Sequence, residues 1–528
     1  MPEISQLDFK ARVGEILNRR PAVGLAVGVV QNGRLEFFYG HGLADIASNT
    51  PVTEDTVFRI ASITKTFTAI AIMQLSEHGL VDLDRPANEY LRAYRLIPAK
   101  ASFRAATLRD LLTHTAGIPQ MVLPSRALAT VFTGSWLTEG GESFAFGQPM
   151  PTLAEYYGGG LSSVAEPGTR FTYADHGFAT LGQVVEDVSG QPLDRYFREH
   201  IFEPLGMSDT DLLRSEQVES RLATGYTLRS DGAKVVTDRN WVTAGASNIY
   251  STPRDMARYV AALLGGGSNG HGSVLEPATL ASMFEPQYQT DPRVPGIGLA
   301  FFRTDVGGHN AVEHQGILPG FNSQIWVAPD HGVGLVAFTN GARNGMVWLP
   351  VETGRLLHEL VGVPDEVVRI DVPQHPEIWG EICGWYPVSA QLTDMQARGM
   401  AGFGAEVFIR RGRLMIRALS PIPALYRGFP LHPDDVADPY VFRIDLSEFG
   451  IGTTRIVFSH AAGGAGTRVH LDLVPLSLQR QPAIKDPRPW VTGALGAFAA
   501  AATATAVRRR RATRLRRRVA WNGFQPAQ

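Results

Sequence analysis

Cysteine is nearly absent from this 528-residue chain: Cys383 stands alone, so no intrachain disulfide can form and no CxxC or Cys/His grouping offers a zinc site. Lysine is almost as scarce, five residues among 49 basic ones. No HExxH, Walker-type or EF-hand pattern occurs, so neither a metal nor another cofactor is implied. A basic face is missing too. Eight arginines fall between Arg508 and Arg518, and taking them from a net charge of −2 leaves −10 on the remainder, which argues against nucleic acid as a partner because duplex binding needs cations to displace counterions. The first ten residues carry acids where a secretory leader needs a basic start and an apolar run, so the expected location is cytoplasmic.

What is present is ordinary globular composition, 44% hydrophobic and 19% charged, with 55 glycines and 34 prolines to make turns. The length predicts one large domain and a smaller one. Apolar spacing predicts helices over 7–17, 62–78, 108–113, 177–189, 193–201 and 253–264, a hairpin over 24–39 turning at Asn32-Gly33, and a strand over 333–339. The Gly/Pro/Ser-rich stretch 119–168 reads as a long surface insertion. After about Pro364 the pattern becomes alternating and hairpin-like, around Arg411-Gly412 and again over 468–473, which predicts a small antiparallel β domain. The expected division is 1–365, 366–482 and an Ala- and Arg-rich tail over 483–528.

The strongest chemical signal is Ser62-Ile63-Thr64-Lys65. Residues three apart at a helix start share a face, so hydroxyl and amine come within reach of each other, and an amine in a desolvated pocket can take or relay the serine proton. A Ser-x-x-Lys arises by chance in roughly one sequence in three, but here the flanks Ile60, Ile63 and Phe67 are apolar and the lysine is one of very few. A rival nucleophile motif, Gly266-Gly267-Ser268-Asn269-Gly270, requires a strand before it and a helix after it; a helix precedes it, so it reads as a Gly-rich connection.

Together with Leu111 to Ile118, Pro167 to Asp175, Pro204-Leu205-Gly206-Met207 and His314-Gln315-Gly316, the Ser62 motif resembles the class C β-lactamase-like serine hydrolases, which include penicillin-binding D,D-peptidases, D-aminopeptidases and carboxylesterases. The resemblance spans about 23–360. It implies an α/β fold, a mixed sheet flanked by helices with an all-helical subdomain, here followed by the small β domain. It further implies Ser62 as the acylated nucleophile, Lys65 as its proton partner, and Tyr173 as the phenolic base, brought into range by the neighbouring ammonium. The amides of Ser62 and Ile317 would form the oxyanion hole, and Gly316 would let substrate approach the backbone. His114 reads as part of a helix-ending turn.

Two residues depart from the family pattern. His314 stands where β-lactamases have lysine; it would donate a hydrogen bond to a substrate or tyrosine oxygen but lacks the permanent charge that holds a β-lactam carboxylate. Asp175 stands where asparagine is usual, able to pair with Lys65 and to contact substrate. Both tilt the expectation toward carboxylic esters, with D-amino-acid peptides or amides next, β-lactams third, and a sensor that acylates without turnover as the rival from another class. The tail has two readings, contact between its arginines and an anionic membrane surface, or a solvated end.

Overall fold

The computed structural model describes residues 6–120, 142–388, 402, 404–420, 422–460 and 466–482; the tail over 483–528 and the middle of the 119–168 insertion lie outside these. A seven-stranded sheet organises the large domain. Its strands are β1 (Gly24–Gln31), β2 (Arg34–Asp45), β3 (Thr50–Pro51), β4 (Phe302–Val306), β5 (His309–Leu318), β6 (Phe321–Ala328) and β7 (Val333–Thr339), in the order β4-β5-β6-β7-β1-β2-β3. Every neighbouring pair in it runs antiparallel. A short parallel pair, Arg95–Ile97 with Gly160–Ser162, lies apart from it.

Period-two alternation sends successive side chains of β1 to opposite cores. Leu25, Val27 and Val29 meet α1 (Gln6–Arg19) and the C-terminal helix of the domain, Gly345–Val361, while Ala26 and Val30 join the larger core on the other face. That larger core surrounds α2 (Thr64–Glu77), buried on all sides from Thr64 to Leu75. The sequence predicts one apolar face here; the structure also buries the polar face, because each hydroxyl finds a partner. Thr66 donates to the Ile63 carbonyl (2.8 Å), Thr68 to the Gly245 carbonyl (2.6 Å), and Tyr259 donates to Thr66 (2.8 Å). Satisfied hydroxyls avoid the 1–3 kcal/mol or so that an orphaned one costs.

Helix 177–189 is extended by two residues at its start, giving α3 (Asp175–Ser189). The 193–201 pattern splits into Leu193–Phe197 and a wider turn, Arg198–Phe202.

Beyond the last long helix, a four-stranded sheet (Gly384–Pro387, Gly404–Arg410, Arg413–Ala418, Phe429–Pro430) and a five-stranded one (from His432–Pro433 to Ser477–Gln479) share a core containing Tyr386, Val407, Leu414, Phe442, Phe458 and Val469. They join along one edge, where Gln481 N–H donates to the Trp385 carbonyl (2.9 Å). The seam with the large domain joins a small apolar cluster, Val294 with Val441 and Val457, to a polar clamp. Arg293 reaches across from Asp291 to Asp438 (2.7 Å) and to the Phe458 carbonyl (2.9 Å).

Candidate active site

Ser62 sits in a tight turn, Ala61–Ile63, that runs directly into α2. Ala61 takes φ +50°, a left-handed conformation that a residue with a Cβ adopts at a cost of about 1 kcal/mol or more. Packing holds it there. Ser323 on β6 donates to the Ile60 carbonyl (2.7 Å), and β5 presses so closely that a Cβ at Gly316 would lie 2.1 Å from that carbonyl. The approach of the nucleophile turn therefore requires a glycine at position 316.

One helical turn on, Lys65 Nζ lies 2.9 Å from Ser62 Oγ, 2.5 Å from Asp175 Oδ1 and 3.2 Å from the Ala246 carbonyl. Three acceptors for three N–H bonds define an ammonium. Burial works against that charge in a side chain with no exposed surface, but the Asp175 carboxylate opposes it and the amine stays above its ordinary value. Asp175 is the first residue of α3, where the helix dipole favours a carboxylate.

Tyr173 packs its ring 4.7 Å from Lys65 Nζ, with its phenol toward both Lys65 and Ser62. Its acidity differs from the sequence expectation. Burial raises the phenol more than Lys65 lowers it, and the Asp175 charge adds to the rise, so the group stays above its ordinary value and rests as a neutral phenol. His314 differs as well. Its Nδ1 donates to the Gln315 carbonyl (2.7 Å), which makes Nε2 a bare acceptor, and burial together with Lys65 pushes the imidazole down to about 3. A neutral ring of that tautomer cannot donate to a substrate or tyrosine oxygen. It packs against Phe302, which in turn stacks on Tyr173.

The residue set aside as a turn, His114, lies against Tyr173 with ring centroids 4.4 Å apart. Its Nδ1 accepts from Ala174 N–H (3.1 Å) and its carbonyl from Thr172 N–H (2.8 Å), clamping the segment on both sides of the tyrosine. Its place in a motif was the signal; its contact was not readable.

These groups open on a cleft of about 380 Å³ lined by Ser62, Asp175, Trp241, Ser247, Ile317, Leu318 and Pro319. Of the residues singled out in the sequence, Ser62, Asp175 and Ile317 line it, Lys65, His314 and Gly316 are buried behind it, and Tyr173 stays partly exposed beside Ser62. Trp241, Ser247, Leu318 and Pro319 had no signal: Trp241 ends a two-residue strand and Ser247 a four-residue helix, both too short to show a period, and Leu318 and Pro319 sit at the end of β5 where it turns. Ser268 lies outside the cleft, bonded to its own loop at Gly265. Among the described residues no group of three or more His, Cys, Asp or Glu could hold a metal, and no helix is long and apolar enough to cross a membrane.

The family model for Beta-lactamase matches residues 9–353. The chain belongs to the Beta-lactamase family. Similar family members include a β-lactamase of Yersinia enterocolitica, 25% identical over 67% of this chain and 82% of that protein, and the esterase EstB of Burkholderia gladioli, 31% identical over 40% and 52%. In fold it resembles the octameric penicillin-binding protein homologue from Pyrococcus abyssi, with a TM-score of 0.55, 23% identity, and coverage of 90% of this chain and all of the other. That coverage takes in strands beyond the family model's end. The protein is thus a β-lactamase-fold serine hydrolase.

Proposed function

We propose that the chain hydrolyses small neutral carboxylic esters through an acyl-enzyme on Ser62. The observation that carries this reading is the charge of the cleft: among the described residues its only ionisable lining side chain is the Asp175 carboxylate, and Lys65 is sealed beneath the floor. Among these described residues a substrate carboxylate, such as that of a β-lactam, would meet one like charge and no cation. In acylation the Lys65 ammonium holds Ser62 Oγ in place, and the Tyr173 oxygen takes the hydroxyl proton as it passes its own phenol proton to the departing alkoxide. The amides of Ser62 and Ile317 receive the oxyanion, each donor contributing about 3 kcal/mol to the barrier.

A second reading, hydrolysis of D-amino-acid amides or peptides, is favoured by the same Asp175, which offers a substrate ammonium a partner. The deciding experiment labels the protein with an active-serine phosphonate, maps the adduct, and compares p-nitrophenyl esters, D-amino-acid p-nitroanilides and a chromogenic cephalosporin. Adduct on Ser62 and turnover of esters above the other two is expected; D-anilides ahead would select the second reading, cephalosporin ahead would overturn both, and one equivalent of product without steady state would mark a sensor.

A further inference from the structure

Resting on that acyl-enzyme reading, the chemistry of its second half is unassigned: something must take a proton from the water that releases the acyl group. We propose that Asp175 is the general base of deacylation, a task its asparagine counterpart could not perform. Access is the first argument. Ser62 and Asp175 both line the cleft, whereas Lys65 does not. The Asp175 side chain keeps 29% of its surface exposed, while Lys65 has none.

Distance is the second. Ser62 Oγ and Asp175 Oδ1 lie 2.9 and 2.5 Å from the same Lys65 nitrogen, so they are at most 5.4 Å apart. A water attacking a carbonyl carbon bonded to Oγ fits a carboxylate at that range, within one hydrogen bond of the nucleophilic oxygen. The carboxylate also has capacity to spare. Oδ1 is bound to Lys65, and among the described residues Oδ2 has no side-chain partner. The third argument is proton supply: Lys65 already donates to three acceptors and has no lone pair with which to take a proton from water.

The step balances. Water forms the new C–O bond while its O–H bond breaks, the proton passes to Asp175, and the carbonyl π pair moves to the oxyanion. Collapse breaks the bond between the acyl carbon and Ser62 Oγ. Oγ takes a proton from Lys65 Nζ, Lys65 is restored from the Asp175 carboxyl, and free acid leaves with the enzyme unchanged.

The test uses the full chain with p-nitrophenyl acetate in rapid-mixing kinetics and intact-mass measurement. In Asp175→Asn, release of the first equivalent of p-nitrophenol should proceed within about tenfold of the parent. Steady-state turnover should then fall by ~10²- to 10⁴-fold, the range for losing a positioned base, with a 42 Da acetyl retained on Ser62. Asp175→Glu, which restores a carboxylate, should recover part of the turnover and clear the adduct. Equal loss in both phases would overturn the proposal by showing that Asp175 acts through Lys65 in acylation, as would undiminished steady-state turnover. Asp175→Ser carries the same comparison if the asparagine variant fails to fold. Absence of any acetyl adduct in parent and variants alike would instead overturn the acyl-enzyme reading itself.

Discussion

Ser62, Lys65 and Asp175 in the large domain, and Ser459, His470 and Asp291 at the seam with the β domain, are similar sets: a hydroxyl, a nitrogen group and a carboxylate, with the nitrogen within 4 Å of both oxygens. In the first set the nitrogen touches both oxygens from separate N–H bonds and a cleft reaches the hydroxyl. In the second, His470 meets Ser459 Oγ at 2.8 Å and Asp291 at 3.9 Å through the same Nε2, and its Nδ1 has no partner among the described residues. A relay through imidazole needs one ring nitrogen for the hydroxyl and the other for the carboxylate. Arg293 grips both Asp291 oxygens, at 2.7 and 2.8 Å, so that carboxylate is committed to the seam. Residue types do not make a site; the direction of each lone pair and access for a substrate do.

The largest test of this contrast is Ser62→Ala, which should cut ester turnover by ~10⁴-fold or more at an unchanged melting temperature, measured with p-nitrophenyl acetate. Lys65→Met removes the ammonium that holds both Ser62 and Asp175, and should reduce turnover by ~10²- to 10⁴-fold in the same assay.

At the seam the effects fall on stability. His470 is pushed down to about 4 by burial, from an ordinary 6.5. Between those values the unfolded chain binds a proton that the folded chain excludes. Stability is therefore fully present above pH 6.5 and is lost as the pH falls toward 4, by up to about 3 kcal/mol from this ring. His314, held down to about 3, adds loss in the same direction. Denaturant melts from pH 7.5 to 4.5 should slope accordingly, and His470→Gln should flatten the slope. Arg293→Ala leaves Asp291 buried without its cation and should cost about 2 kcal/mol, less than the ~3–5 kcal/mol of a fully buried pair because the guanidinium is partly exposed. Ser459→Ala, the smallest, should cost about 1 kcal/mol and leave ester hydrolysis within twofold; a large loss of activity there would erase the distinction between the two clusters.

Legibility followed the range of the interaction. Ser62 and Lys65 were readable because helical spacing alone joins them, and the β1–β2 hairpin because Asn32-Gly33 specifies its turn. Asp175 and Tyr173 were readable through their motif. The protonation of His314 was not, since it depends on a bond from its own ring to the next carbonyl. Nor was the rest of Tyr173's environment: its burial beside His114 and Phe302 decides its acidity, and those rings arrive from far along the chain. The cleft wall was invisible for the same reason.

The left-handed turn at Ala61 bears on timing. The unfavourable dihedral is imposed when β5 and β6 close over the nucleophile, before any ligand arrives, so the Ser62 amide is aimed once, during folding, and need not be re-aimed in each catalytic cycle. Glycine at position 61 would relieve the steric debt yet let that amide wander, trading reaction speed for a more comfortable backbone.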